Sequence, residues 1–190
     1  MGDHDGITDN VRSREDEYFR RKDRELVERM RQSAAANATR QDLEARSGIH
    51  DPEMVQELEA LGFTPETVSL LPLVPIVQIA WAEGGVSDDE RRLIVQLARQ
   101  RGIMPGSAGD RQLSAWLGQK PSDEVFARAL RLVRAMFENP EVESGGLRLE
   151  DLIHHCEEIA AVSGGVLGFR KISAEERALM KQVEQALKKR

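Results

Sequence analysis

The sequence predicts an all-α protein: a compact helical bundle of two pseudo-symmetric helix–loop–helix repeats, preceded by an extended N-terminal helix. Three observations carry this expectation. Apolar residues recur at helical spacing in one segment after another, and none of the 190 residues lies in a run with sustained period-two alternation. Ser87-Asp88-Asp89-Glu90 and Ser173-Ala174-Glu175-Glu176 both have the form of a capping box that starts a helix. The residues before each box also match, ending in paired glycines at Gly84-Gly85 and Gly164-Gly165.

Taken in order, residues 1–12 are Asp/Gly-rich, lack a hydrophobic period and read as a disordered tail. Residues 13–38 form a charged helical arm in which Phe19, Leu26 and Met30 fall on one narrow stripe, with the Ala-rich stretch from Ser33 to Ala38 as an extension or a joint. A short helical hairpin is expected over 39–64. Thr39 is placed to cap its first segment, which ends near Ser47-Gly48. Asp51 followed by Pro52 opens the second, which turns Met54, Val55, Leu58 and Leu61 inward and stops at Gly62. Thr64-Pro65 repeats that opening signal and begins the main domain, 65–190.

Pro72 and Pro75 both fit the first turn of a helix that starts near Pro72, because first-turn N–H groups have no helical acceptor to lose. That helix, ending between Ala82 and Gly84, is apolar almost all round and should be the buried centre. The helix after Ser87 carries Leu93, Ile94, Leu97 and Ala98. A looser region from Gly102 to Pro121 holds Trp116 on a short helix. Val125, Phe126, Ala129, Leu130, Val133 and Met136 mark the helix from Ser122 to Phe137. Leu152, Ile153, Cys156, Ile159 and Ala160 mark the one from Leu149 to Ala161, and Leu179, Met180, Val183, Ala186 and Leu187 the last.

Composition narrows the functional classes. Lys and Arg number 27 against 33 Asp and Glu, for a net charge of −6. That balance argues against a sequence-independent nucleic-acid binder, which needs a basic surface to displace counterions. Cys156 stands alone, so neither an intrachain disulfide nor a CxxC knuckle is available. The most apolar stretch, Val68 to Ala82, is interrupted by Ser69, Pro72, Pro75 and Gln78 and falls short of the ~20 apolar residues of a membrane helix, so no membrane insertion is expected. Nothing in the first residues has the form of a signal peptide, and a cytoplasmic, reducing setting is the default expectation.

Aligning Ile79 to Gly85 with Ile159 to Gly165, and Val86 to Arg91 with Ile172 to Arg177, gives two copies, about 72–101 and 149–189. Each is a buried helix, a glycine stop, one apolar staple residue and a capped outer helix; the second copy carries an insertion at Val166 to Lys171. The stretch from Gln78 to Arg91 resembles the signature of TerB-like (tellurite-resistance) domains, which also occur at the N-terminus of a DnaJ-type co-chaperone. The resemblance covers roughly residues 65–189. It implies an all-α fold of paired helices, a stress-related role without an established enzymatic activity, and an acidic loop proposed to bind divalent cations. The chain departs from that pattern at Glu83, where Asp is usual, and at Ser163, Arg170 and Lys171 in the second copy.

A divalent-cation site at Glu83, Asp88, Asp89 and Glu90 would bring several oxygens together, but the spacing is not that of an EF-hand. Three of those acids also sit where a helix N-terminus favours negative charge, so capping is the preferred reading and no cofactor is assigned. Asp151 and His154 are three apart, and Glu150, His154 and Glu158 are four apart, which makes one acid–histidine stripe, whereas a di-iron bundle needs two such motifs plus further carboxylates. Ser163 to Gly168 matches neither a dinucleotide nor a P-loop pattern. No nucleophile, base and oxyanion donor converge, so an enzyme is not expected.

The arm is the leading functional element. Glu17-Tyr18-Phe19-Arg20 in its charged helix resembles the inhibitory segment of the mitochondrial ATPase inhibitor protein over roughly residues 13–32, without that family's long C-terminal coiled coil. This resemblance implies that Tyr18 and Phe19 enter a groove on a larger protein while Arg20, Arg21 and Arg24 pair with acids. The expectation is a protein partner bound through Tyr18, Phe19, Arg20, Arg24, Leu26 and Met30, a helix-in-groove mode, with a second copy of the chain as the alternative occupant.

Overall fold

In the computed structural model, residues 5–138, 148–163 and 173–188 are described, and among them every regular element is helical. The order is α1 (Asp5–Ser47), α2 (Pro52–Ala60), a 3-10 helix (Val68–Leu73), α3 (Val74–Ala80), α4 (Asp88–Gln100), α5 (Ala108–Gly118), α6 (Asp123–Glu138), α7 (Leu149–Ser163) and α8 (Ala174–Lys188). The chain divides into two units, Met1–Gln41 and Asp42–Arg190.

The first unit is the N-terminal part of α1. Here the structure differs from the sequence expectation at both ends of the arm. The helix begins at Asp5, inside the stretch read as a disordered tail; residues 33–38 take the extension rather than the joint, and the helix continues past residue 38, the expected end of the arm, to Ser47. Alanine is the best helix former, so Ala34, Ala35 and Ala36 carry the helix on rather than interrupt it. Thr39 does not cap a new segment; its hydroxyl donates to the Ala35 carbonyl at 3.0 Å, a bond that lets threonine sit inside a helix.

The second unit opens with the last turn of α1, where Leu43 and Ser47 are buried. Asp51 accepts from the N–H groups of Glu53 and Met54 at 2.8 and 3.4 Å, and Pro52 occupies the first turn of α2. The helix stops where Gly62 takes φ +81°, a left-handed conformation that glycine adopts without a Cβ penalty. Thr64-Pro65 behaves differently from the second helix start that the spacing suggests. Thr64 N–H donates to Thr67 Oγ1 at 2.9 Å, and this tight turn feeds the 3-10 helix.

That 3-10 helix contains Pro72, so the buried α-helix starts at Val74 rather than near Pro72, and Pro75 alone lies in its first turn. The 3-10 hydrogen-bond pattern accommodates Pro72 ahead of the α-helix. From Val74 to Ala80 every residue except Gln78 is buried. α3 packs on α7, α6 and α8; α4 packs on α7 and α3; α7 packs on α8.

The two capping boxes form as the sequence predicts. Ser87 Oγ accepts from Glu90 N–H at 3.3 Å while Glu90 Oε2 accepts from Ser87 N–H at 2.7 Å; Ser173 and Glu176 repeat both bonds at 3.1 and 2.7 Å. The region read as loose contains a regular helix, α5. Ser107 caps it by accepting from Asp110 N–H at 3.1 Å, and Asp110 ties back to Gly106 N–H and Arg99. Trp116 on α5 meets Phe63 edge to face at 5.9 Å, and its carbonyl accepts from Trp81 Nε1 at 2.9 Å.

The predicted core positions Ile94, Leu97, Phe126, Leu130, Val133, Leu152, Ile159, Val183 and Leu187 are buried. Leu93, Leu179 and Met180 pack against its margin, and Val125 and Ile153 are half-buried. Gly164-Gly165 and the insertion at Val166 to Lys171 lie outside the described residues.

Candidate functional site

The arm is helical because it is charged in alternation. Lys22 pairs with Glu25 at 3.4 Å, and Gln32 donates to Glu28 at 3.2 Å, giving the local side-chain support that a solvated helix needs. Each described side chain from Arg20 to Asp42 is exposed. Among the large apolar residues, Leu26 is 51% exposed, Val27 46% and Met30 64%. Tyr18, also exposed, has the cations of Arg21 and Lys22 within 6 Å of its ring, at 5.7 and 5.8 Å. Arg20 and Arg24 are exposed one turn apart, and the side chain of Phe19 is outside the described set. Of the predicted partner-binding residues, Leu26 and Met30 therefore form an adjacent exposed apolar pair at i, i+4, flanked by Arg20 and Arg24.

The acidic loop is organised for capping. Glu90 is buried and both described hydrogen bonds to its carboxylate, from the N–H and the Oγ–H of Ser87 at 2.7 Å, belong to the cap. Burial raises its pKa, the bonds from Ser87 lower it, and the charges of Glu176 and Glu83 raise it further. Asp89 is paired with Arg92, whose Nε also donates to the Asp88 carbonyl. Glu83, Asp88 and Asp89 are exposed. Among the described residues no three His, Cys, Asp or Glu side chains are grouped as a metal site, so the structure does not bring Glu83, Asp88, Asp89 and Glu90 together as ligands.

The α7 histidines are likewise engaged locally. His155 Nδ1 lies 2.9 Å from Glu158, while His154 is 3.7 Å from both Glu157 and Glu158. Asp151 accepts from Arg148 N–H at 3.2 Å at the helix start. Cys156 is buried, and burial, aided by the charge of Glu157, pushes its thiol pKa up to about 12, the reverse of what a nucleophile or a ligand requires. Ser163 to Gly168 falls almost wholly outside the described residues.

Sequence reasoning passed over one feature, a cavity of about 500 Å³ between α3, α6 and α8. Its residues are distant in the chain and carry no motif. The one available signal was Gln78, a polar residue in the most apolar helix. No protein-family model matches the chain, and comparison with curated proteins and with solved structures returns no similar protein.

Proposed function

We propose that this chain is a non-catalytic helical interaction or regulatory protein that holds a protein partner through α1, with a TerB-like unit as its base. The observation that supports this most directly is the exposure of Leu26 and Met30, 51% and 64%, on a helix that buries none of its described side chains between Arg20 and Asp42. Water disfavours apolar side chains held out in this way, and a groove on another protein would take them in the i, i+4 pattern that helix recognition uses. In the sequence Phe19 stands seven residues before Leu26, a spacing of about two helical turns. Arg20 and Arg24 suit an acidic rim on that groove.

The duplicated unit belongs to the same proposal. Ile79-Ala80 and Ile159-Ala160, which align in the two sequence copies, are all buried, and both copies lead into a serine–glutamate box. The stress-related setting rests on the TerB-like resemblance alone.

The test uses the full-length chain and a Leu26→Gln/Met30→Gln variant, since glutamine keeps nearly the same helix propensity as leucine and methionine. Partners cross-linked to the wild type are purified and titrated against both proteins. A loss of affinity of about tenfold or more in the variant supports the reading, because two buried apolar anchors are worth at least that. Equal affinity for both proteins removes it. Sedimentation of each protein over a range of concentrations identifies the case in which the partner is a second copy of the chain.

A further inference from the structure

We draw no further inference here: the strongest candidate, the cavity between α3, α6 and α8, carries none, because Arg131 and Arg134 in its lining already face Glu57 and Glu138 at 2.7 and 3.3 Å and nothing in the structure shows what covers it.

Discussion

Glu90 and Glu176 hold the same position in two helices. Each is almost wholly buried, 2% and 1% exposed, and each accepts from the N–H of its own capping serine at 2.7 Å. For Glu90, burial dominates and raises the pKa against the opposing pull of the Ser87 bonds, and the nearby charge of Glu176 adds to the rise. A carboxyl with a raised folded-state pKa binds its proton more tightly in the folded chain than in the unfolded one. Its contribution to stability is therefore complete below the unfolded value near 4.5 and is lost as pH climbs through the folded value.

Glu90→Gln tests this directly, because glutamine keeps an oxygen to accept from Ser87 and carries no charge. Relative to wild type, the variant should gain in melting temperature as pH rises from about 4 to about 7, and the gain should level off once Glu90 is fully ionised. Thermal unfolding across that range gives the difference curve. A flat curve contradicts the raised pKa.

The other caps should behave as ordinary ones. Asp51→Ala leaves the Glu53 and Met54 N–H groups without their acceptor, and Ser107→Ala does the same for Asp110 N–H. Each should cost about 1 kcal/mol in denaturant unfolding, with an unchanged dependence on denaturant concentration. The two sites sit on different helices, and their effects should add in the double variant.

The caps at Asp51, Ser87 and Ser173 were legible in the sequence because they are local: a serine or aspartate, a proline or a glutamate at a set offset, and a glycine to stop. Asp51-Pro52, Gly62, Ser87–Glu90 and Ser173–Glu176 all read correctly for that reason. What misled was a local signal with two outcomes. Thr39 has the chemistry of a cap and also of a back-bond to the preceding turn, and continuous alanines upstream decide for the second. Pro72 fits an α-helical first turn as well as a 3-10 helix, and the packing of Leu70, Leu71 and Leu73 accompanies the latter. The Gln78–Arg134 cavity was illegible because it depends on which helices meet. The apolar arm residues were visible as a stripe, but their exposure was not.

Glu57 joins α2 to α6 by accepting from Arg128 Nε at 2.9 Å and from Arg131 at 2.7 Å. Arg131 is half exposed, so solvent discounts its share, while Arg128 is the better sheltered partner. Glu57→Ala should destabilise by about 1–2 kcal/mol, chiefly through Arg128. Arg128→Ala should have most of the same effect, and the double variant should cost clearly less than the sum. Additive losses in the cycle would mean the ion pair contributes nothing of its own.

Cys156 offers a probe of how often α7 opens. Buried, and with its thiol pKa pushed up to about 12, it presents almost no thiolate at neutral pH. A thiol reagent such as dithiobis-nitrobenzoate should leave the native protein unmodified over the time in which it labels the urea-unfolded chain completely. Slow labelling that tracks the unfolding equilibrium as urea is added fits this; prompt labelling of the native protein does not.

Leu26→Gln/Met30→Gln separates binding from folding in the arm. Both side chains are exposed and neither belongs to the core, so burial gives them no part in holding the second unit together. The thermal midpoint of the double variant should match that of wild type to within about 0.5 kcal/mol of stability. Far-ultraviolet circular dichroism should change little, since α1 draws its support from pairs such as Lys22–Glu25, which the substitutions leave alone. A large drop in the midpoint would show that Leu26 and Met30 are covered in the folded protein, and the arm would then be a structural brace instead of a binding element.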